Sequence, residues 1–133
     1  MLATIARDGR DQQDVPVIGT VLIVDDHAPY RSSARRLLEA EGFSVVGEAG
    51  DAGAALDAVA RLRPTIVLLD IQLPGRDGFS VASHLASIET PPAVVLISSR
   101  PADSFGPRLA AAPVRGFLTK ADLTGPALAQ LLG

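Results

Sequence analysis

With 133 residues, this chain has room for one domain, able to bury roughly two-thirds of its unfolded surface. Its residues are 47% apolar but only 4% aromatic, so the core must be aliphatic, and with no cysteine it has neither a disulfide framework nor a thiolate zinc site. A formal net charge of −3 offers no basic footprint for direct nucleic-acid binding, and no apolar run nears the roughly 18 residues that span a membrane.

Met1 to Gly19 mixes charges, Gln12-Gln13, Gly9 and Pro16 without periodicity, which predicts a disordered tail over 1–19 ahead of one domain over 20–133. Leu2, Ile5, Val15, Val17 and Ile18 leave room for a short docking segment. Arg7, Asp8 and Arg10 stand where a signal peptide would carry its apolar core, so a cytoplasmic protein is expected.

Strand-like and helix-like segments then alternate. Val21–Val24 reads as the first strand, and Tyr30 to Glu41 as a helix with Pro29 in its first turn and Gly42 as its stop. Phe43 to Glu48 is the second strand, Ala52 to Leu62 the second helix and Thr65–Leu69 the third strand. After the Pro74-Gly75 turn, Asp77 stands where it would cap a third helix running to about Ser87. Ala93–Ile97 is the fourth strand. A fourth helix is expected over Ala102 to Ala112, but Gly106-Pro107 inside it means that it starts at Pro107 or is irregular. Val114–Leu118 is the fifth strand, and Thr124 is placed to cap a last helix from Gly125 to Leu132. Five such cycles predict an α/β fold with a doubly wound parallel sheet.

Two of the oily runs stop on carboxylates: Val21–Val24 on Asp25-Asp26, and Ile66–Leu69 on Asp70. Runs of this kind are strands buried on both faces of a parallel sheet, whose ligand site lies beyond the carboxyl ends of the strands. Like charges gathered there resist joint ionisation, and a hard cation with oxygen ligands relieves the repulsion. Mg²⁺ is the usual one where phosphate is handled, so the pattern points to a metal-assisted phosphoryl site.

From Thr20 to Gly133 the chain resembles the receiver domain of two-component response regulators. The matching residues are Asp25-Asp26, Asp70 with Leu73-Pro74-Gly75 and Asp77-Gly78 behind it, Ser98, and Lys120. Each falls at the end of a different predicted element, with 44 residues between Asp26 and Asp70 and 22 between Ser98 and Lys120. The resemblance implies a flavodoxin-like (βα)5 fold with strand order 2-1-3-4-5. It implies Asp70 as phosphoacceptor, with Lys120 and Ser98 contacting the phosphoryl oxygens. Asp25, Asp26, Asp70 and the backbone carbonyl of Gln72 would hold Mg²⁺. Phe117 matches the family's switch aromatic. The implied partner is a sensor histidine kinase or phosphotransfer protein, with a homodimer through the fourth-helix, fifth-strand and fifth-helix face as a readout. Leu123, Leu128 and Leu131 are expected to give that face its apolar surface.

Plainer readings stand beside these. Asp26 is placed to cap the first helix, Lys120 is a solvated surface lysine, Phe117 is core, Ser98 is a turn hydroxyl, and His27 is too far from His84 to build a zinc set. Ala121 replaces a proline common after the site lysine, and Arg76 stands where an apolar residue is more usual. Gln72 and Arg100, two past Asp70 and Ser98, border the path of a water toward an acyl phosphate. Only 13 residues follow Lys120, which favours a stand-alone receiver over a piece of a longer regulator. The expected role is a switch that assists its own phosphorylation and dephosphorylation, not an enzyme. The alternatives are a small Mg²⁺-dependent phosphatase with an aspartate nucleophile, for which a haloacid-dehalogenase pattern would want D-x-D, and a degenerate receiver acting as a scaffold.

Overall fold

The computed structural model describes residues 18–133, so the expected tail lies outside the described residues except at Ile18 and Gly19. These two already run beside the second strand: the Ile18 N–H donates to the Gly42 carbonyl at 2.9 Å, and the Ser44 N–H to that of Gly19 at 2.9 Å.

The elements in chain order are β1 (Thr20–Val24), α1 (Ala28–Ala40), β2 (Ser44–Ala49), α2 (Ala52–Leu62), β3 (Ile66–Asp70), α3 (Gly78–Ala86), β4 (Ala93–Ser98), α4 (Pro107–Ala111), β5 (Gly116–Thr119) and α5 (Gly125–Leu132). The sheet is parallel throughout in the order β2-β1-β3-β4-β5. The sheet is therefore the doubly wound arrangement expected.

Alternation along the strands sends neighbouring residues to opposite faces. Leu22, Val24, Val67, Leu69 and Leu96 face a core shared with α2 and α3. Val21, Ile23, Leu68, Val95 and Ile97 face a second core closed by α1 and α5. Both faces are covered, which is why the central strands β1, β3 and β4 carry continuous apolar runs, Val21–Val24, Ile66–Leu69 and Ala93–Ile97.

Side chains cap three of the helices. Asp51 accepts the Ala54 N–H at 2.8 Å, Asp77 that of Ser80 at 2.9 Å, and Thr124 that of Ala127 at 3.0 Å. At α1 the N-cap is His27, without a side-chain cap bond, so Asp26 is not spent on capping.

The fourth helix starts at Pro107, one of the two outcomes that Gly106-Pro107 allowed: a 3-10 turn at Ala102–Phe105, then Gly106 at φ 59°, then the five residues of α4. Pro107 is accepted in the first turn, and Pro113 prevents extension. One expectation is corrected: Leu123 and Leu128 do not present a partner surface, because both are buried in the core under α1 and α5, with Leu131 packed partly against it. A leucine stripe on an amphipathic helix must cover something, and here it covers the second face of the sheet.

Candidate functional site

Strand register brings the carboxyl ends level. Val24 lies beside Leu69, Asp70 beside Ile97, and Ser98 beside Thr119. Asp25, Asp70, Ser98 and Lys120 therefore collect at one edge from four strands. Among the described residues, the buried polar and charged side chains are Asp25 (0% exposed), Asp70 (3%) and Ser98 (0%), all three at this edge. Burying charge is costly unless it is paired, so this concentration marks a functional place rather than ordinary core.

Each of the three is pinned by the backbone N–H two residues on. Asp25 Oδ1 accepts from His27 at 2.8 Å, Asp70 Oδ1 from Gln72 at 3.0 Å, and Ser98 Oγ from Arg100 at 3.0 Å. These local turns hold one oxygen of each carboxylate and leave Oδ2 free to face the site. Lys120 Nζ fills that space, 2.5 Å from Asp25 Oδ2 and 3.2 Å from Asp70 Oδ2. The contact to Asp25 is an ion pair without hydrogen-bond alignment, because Asp25 Oδ2 has no directional partner.

Asp26, exposed, completes the acidic set. One carboxylate oxygen each from Asp25, Asp26 and Asp70 lie within 4.8 Å of one another. Burial pushes the Asp70 carboxyl above its ordinary value, the Gln72 N–H and the Lys120 charge pull it back, and the Asp25 charge adds to the rise. At Lys120 burial works downward, but its contacts with Asp25 and Asp70 win and hold the ammonium above its ordinary value. One ammonium thus answers three carboxylates. An all-oxygen donor set with excess negative charge and a buried, unaligned Asp25 oxygen fits a small hard divalent cation.

The loop behind Asp70 explains two glycines. Gly75 takes φ +77° in open space, the left-handed conformation that the Pro74-Gly75 turn requires. A Cβ on Gly78, at the start of α3, would clash with the Asp70 carbonyl oxygen and come within 2.7 Å of the Ile71 Cα, so no side chain fits there. The start of α3 is therefore seated directly on the backbone of Asp70.

Phe117, half-buried on β5, lies 6.1 Å from the Phe105 ring at 60°, and Phe105 lies 6.0 Å from Phe79 at 65°. Phe117 thus faces the α3 and α4 side. His27 is exposed and stands outside the acidic set.

Three residues at or near the site were not legible as such. Arg31 donates to the Asp25 carbonyl and, at 3.0 Å, to Glu48, which also pairs with Arg35 at 2.8 Å. Tyr30 sets its ring 4.8 Å from Lys120 Nζ. Arg108 pairs with Asp77 at 2.9 Å while its guanidinium lies 4.4 Å over the Phe79 ring. For Tyr30 and Arg31 a signal existed. Side chains in the first turn of a helix lean toward its N-terminus, and for α1 that is the end of β1.

The sheet order and the acidic set at its carboxyl edge define a receiver-like α/β protein. Residues 21–128 match the response regulator receiver domain family, and the chain belongs to it. It is 40% identical over 83 residues to the transcriptional regulatory protein PdtaR of Mycobacterium tuberculosis, covering 62% of this chain and 40% of that protein. It is 48% identical over 80 residues to protein-glutamate methylesterase/protein-glutamine glutaminase 5 of Myxococcus xanthus, covering 59% of this chain and 23% of that one. The chain spans about half or less of the length of the curated relatives it matches. Among solved structures, the signal receiver domain of the response regulator NarL from Mycobacterium tuberculosis superposes with a TM-score of 0.76 at 34% identity, covering 88% of this chain and 94% of that one. A LuxR-family two-component response regulator from Aurantimonas sp. SI85-9A1 gives 0.76 at 30% identity, with 86% of each chain covered.

Proposed function

We propose that this receiver domain accepts a phosphoryl group on Asp70 from a sensor histidine kinase or phosphotransfer protein and thereby switches a partner or output domain. The observation that carries this reading is the pairing of a buried, pinned Asp70 carboxylate with Lys120 beside Asp25 and Asp26. An Asp70 oxygen attacks phosphorus, a new P–O bond forms as the donor's P–N bond breaks, and the imidazole leaves with a proton. Asp25, Asp26, Asp70 and the Gln72 carbonyl are the residues to hold Mg²⁺, which when bound neutralises charge on the transferring group. Lys120 contributes a point charge to a phosphoryl oxygen. The Ser98 hydroxyl already accepts the Arg100 N–H and keeps its proton for another phosphoryl oxygen. As the loop after β4 draws toward Ser98, Phe117 turns inward from its contact with Phe105. This is a stoichiometric switch in the cytoplasm, not a turnover enzyme.

The related proteins carry a transcriptional regulator's name in one case and a methylesterase's in another. An output is therefore a matter of what is joined or bound to the receiver. If a second copy is the partner, the α4, β5 and α5 face must use its outer residues, since Leu123 and Leu128 are core.

A small-molecule phosphodonor with Mg²⁺ tests the reading. Labelling should stop at one phosphoryl per chain and vanish in Asp70→Asn, which keeps the shape and removes the nucleophilic charge. Undiminished labelling of that variant contradicts the assignment, and steady turnover on a phosphomonoester supports a phosphatase instead.

A further inference from the structure

We propose that Tyr30 is the positioning residue for Lys120, its ring holding the ammonium beside Asp70 when the carboxylates are otherwise engaged. The inference rests on the acceptor reading above. Lys120 begins the short 3-10 turn after β5 and carries its charge on a flexible four-carbon stem. Among the described residues, the ammonium's charged and aromatic partners are Asp25 Oδ2 at 2.5 Å, Asp70 Oδ2 at 3.2 Å and the Tyr30 ring at 4.8 Å from its centroid. Phosphoryl transfer draws on two of them. Asp25 turns its charge to a cation, and Asp70 is converted to an acyl phosphate. The ring is the neighbour that the reaction does not consume, and a ring face attracts an ammonium at this distance.

Tyr30 is itself well fixed. It follows Pro29 in the first turn of α1, its N–H donates to the His27 carbonyl at 3.0 Å, and the ring packs against the core under α1 and α5. Its hydroxyl is buried without a hydrogen-bond partner among the described residues. An unmatched buried hydroxyl is a cost, so the ring is what this position gains from tyrosine. Burial and the two nearby carboxylates push the phenol far above its ordinary value, so the ring that faces Lys120 stays neutral.

The test compares Tyr30→Phe, which keeps the ring, with Tyr30→Leu, which removes it. The ε-proton shifts of Lys120 are read by NMR without phosphodonor, and the labelling rate is read at saturating Mg²⁺. In Tyr30→Phe both should match the parent. In Tyr30→Leu the ring-current shift should disappear and labelling slow roughly fivefold, the scale of one cation–π contact, with one phosphoryl per chain still reached. In a Lys120→Ala background the leucine change should slow labelling no further. An unchanged shift and rate in Tyr30→Leu overturns the proposal. So does slowing by Tyr30→Phe equal to that by Tyr30→Leu, or slowing that persists without Lys120. If the parent itself takes no label, the acceptor reading fails, and the ring-current comparison still decides the role of Tyr30.

Discussion

Helices α2 and α4 lie on the same side of the same sheet, yet they are attached in opposite ways. Helix α2 has 11 residues, an Asp51 cap, and buries Ala52, Ala55, Ala58 and Val59 against the strands. Helix α4 has five residues, no side-chain cap and no buried residue, and follows a glycine at φ 59°. Its segment is held by Phe105 against Phe79 and Phe117, by partly buried Leu109, and by Arg108 on Asp77 and Phe79. Small residues at helical spacing let α2 approach closely and become part of the frame. Gly106, Pro107 and Pro113 deny α4 that option. What remains is a few aromatic and charged contacts at the surface, which can be exchanged for others at small cost. This weakly attached segment is joined to Ser98 on one side and Phe117 on the other.

The comparison can be broken most directly by deleting packing on each side. Val59→Ala in α2 removes buried atoms from the main core and should cost about 2 kcal/mol of global stability. Leu109→Ala in α4 should cost about 1 kcal/mol or less, because the side chain is only partly buried. Chemical denaturation reads both, and equal losses would mean that α4 is as much frame as α2.

A smaller global effect with a larger local one is expected from Arg108→Ala. The pair with Asp77 is exposed, so stability should change by about 0.5 kcal/mol or less. Amide exchange over 102–112 should quicken while α2 stays protected. Unchanged exchange there would show that Arg108 does not hold the segment.

The smallest effect is on acidification. The Ser80 N–H and then Arg108 hold the Asp77 carboxyl below its ordinary value of 3.8. A depressed folded-state value contributes stability that is present above the unfolded value and lost as pH falls through the folded one. Below about pH 4 the first turn of α3 and the α4 segment should therefore loosen ahead of α2. In Asp77→Asn, which keeps a capping oxygen but not the charge, the α4 part of that acid response should be absent in pH-resolved hydrogen exchange.

The βα alternation was legible because the strands are buried on both faces, so apolar runs ending on Asp25, Asp70 and Ser98 declared both the strands and their carboxyl edge. Helices with local signals were also readable: Asp77 and Thr124 cap α3 and α5 where capping chemistry placed them. What escaped depends on reach between elements. The contacts Tyr30 to Lys120 and Arg108 to Phe79 join residues far apart in sequence through long side chains; helix geometry aims Tyr30 at the site, but no local pattern names the partner of either residue. Leu123 and Leu128 show the same limit in reverse. An apolar face is visible in the sequence, but whether it meets the sheet or a partner is settled only by packing.

The measurement closest to the central claim is hydrogen exchange of the whole chain with and without phosphodonor and Mg²⁺, with Asp70→Asn as control. A two-state element moves only by the differential stability that a modification supplies, and the proposed differential contacts are at Ser98 and Lys120. Residues 99–118 should exchange faster than β1, β2 and β3 in the unmodified protein, and phosphorylation should slow exchange there selectively, with no change in the Asp70→Asn variant. Uniform exchange across the domain, or a phosphorylation response no different in 99–118 than in α2, would contradict the switch.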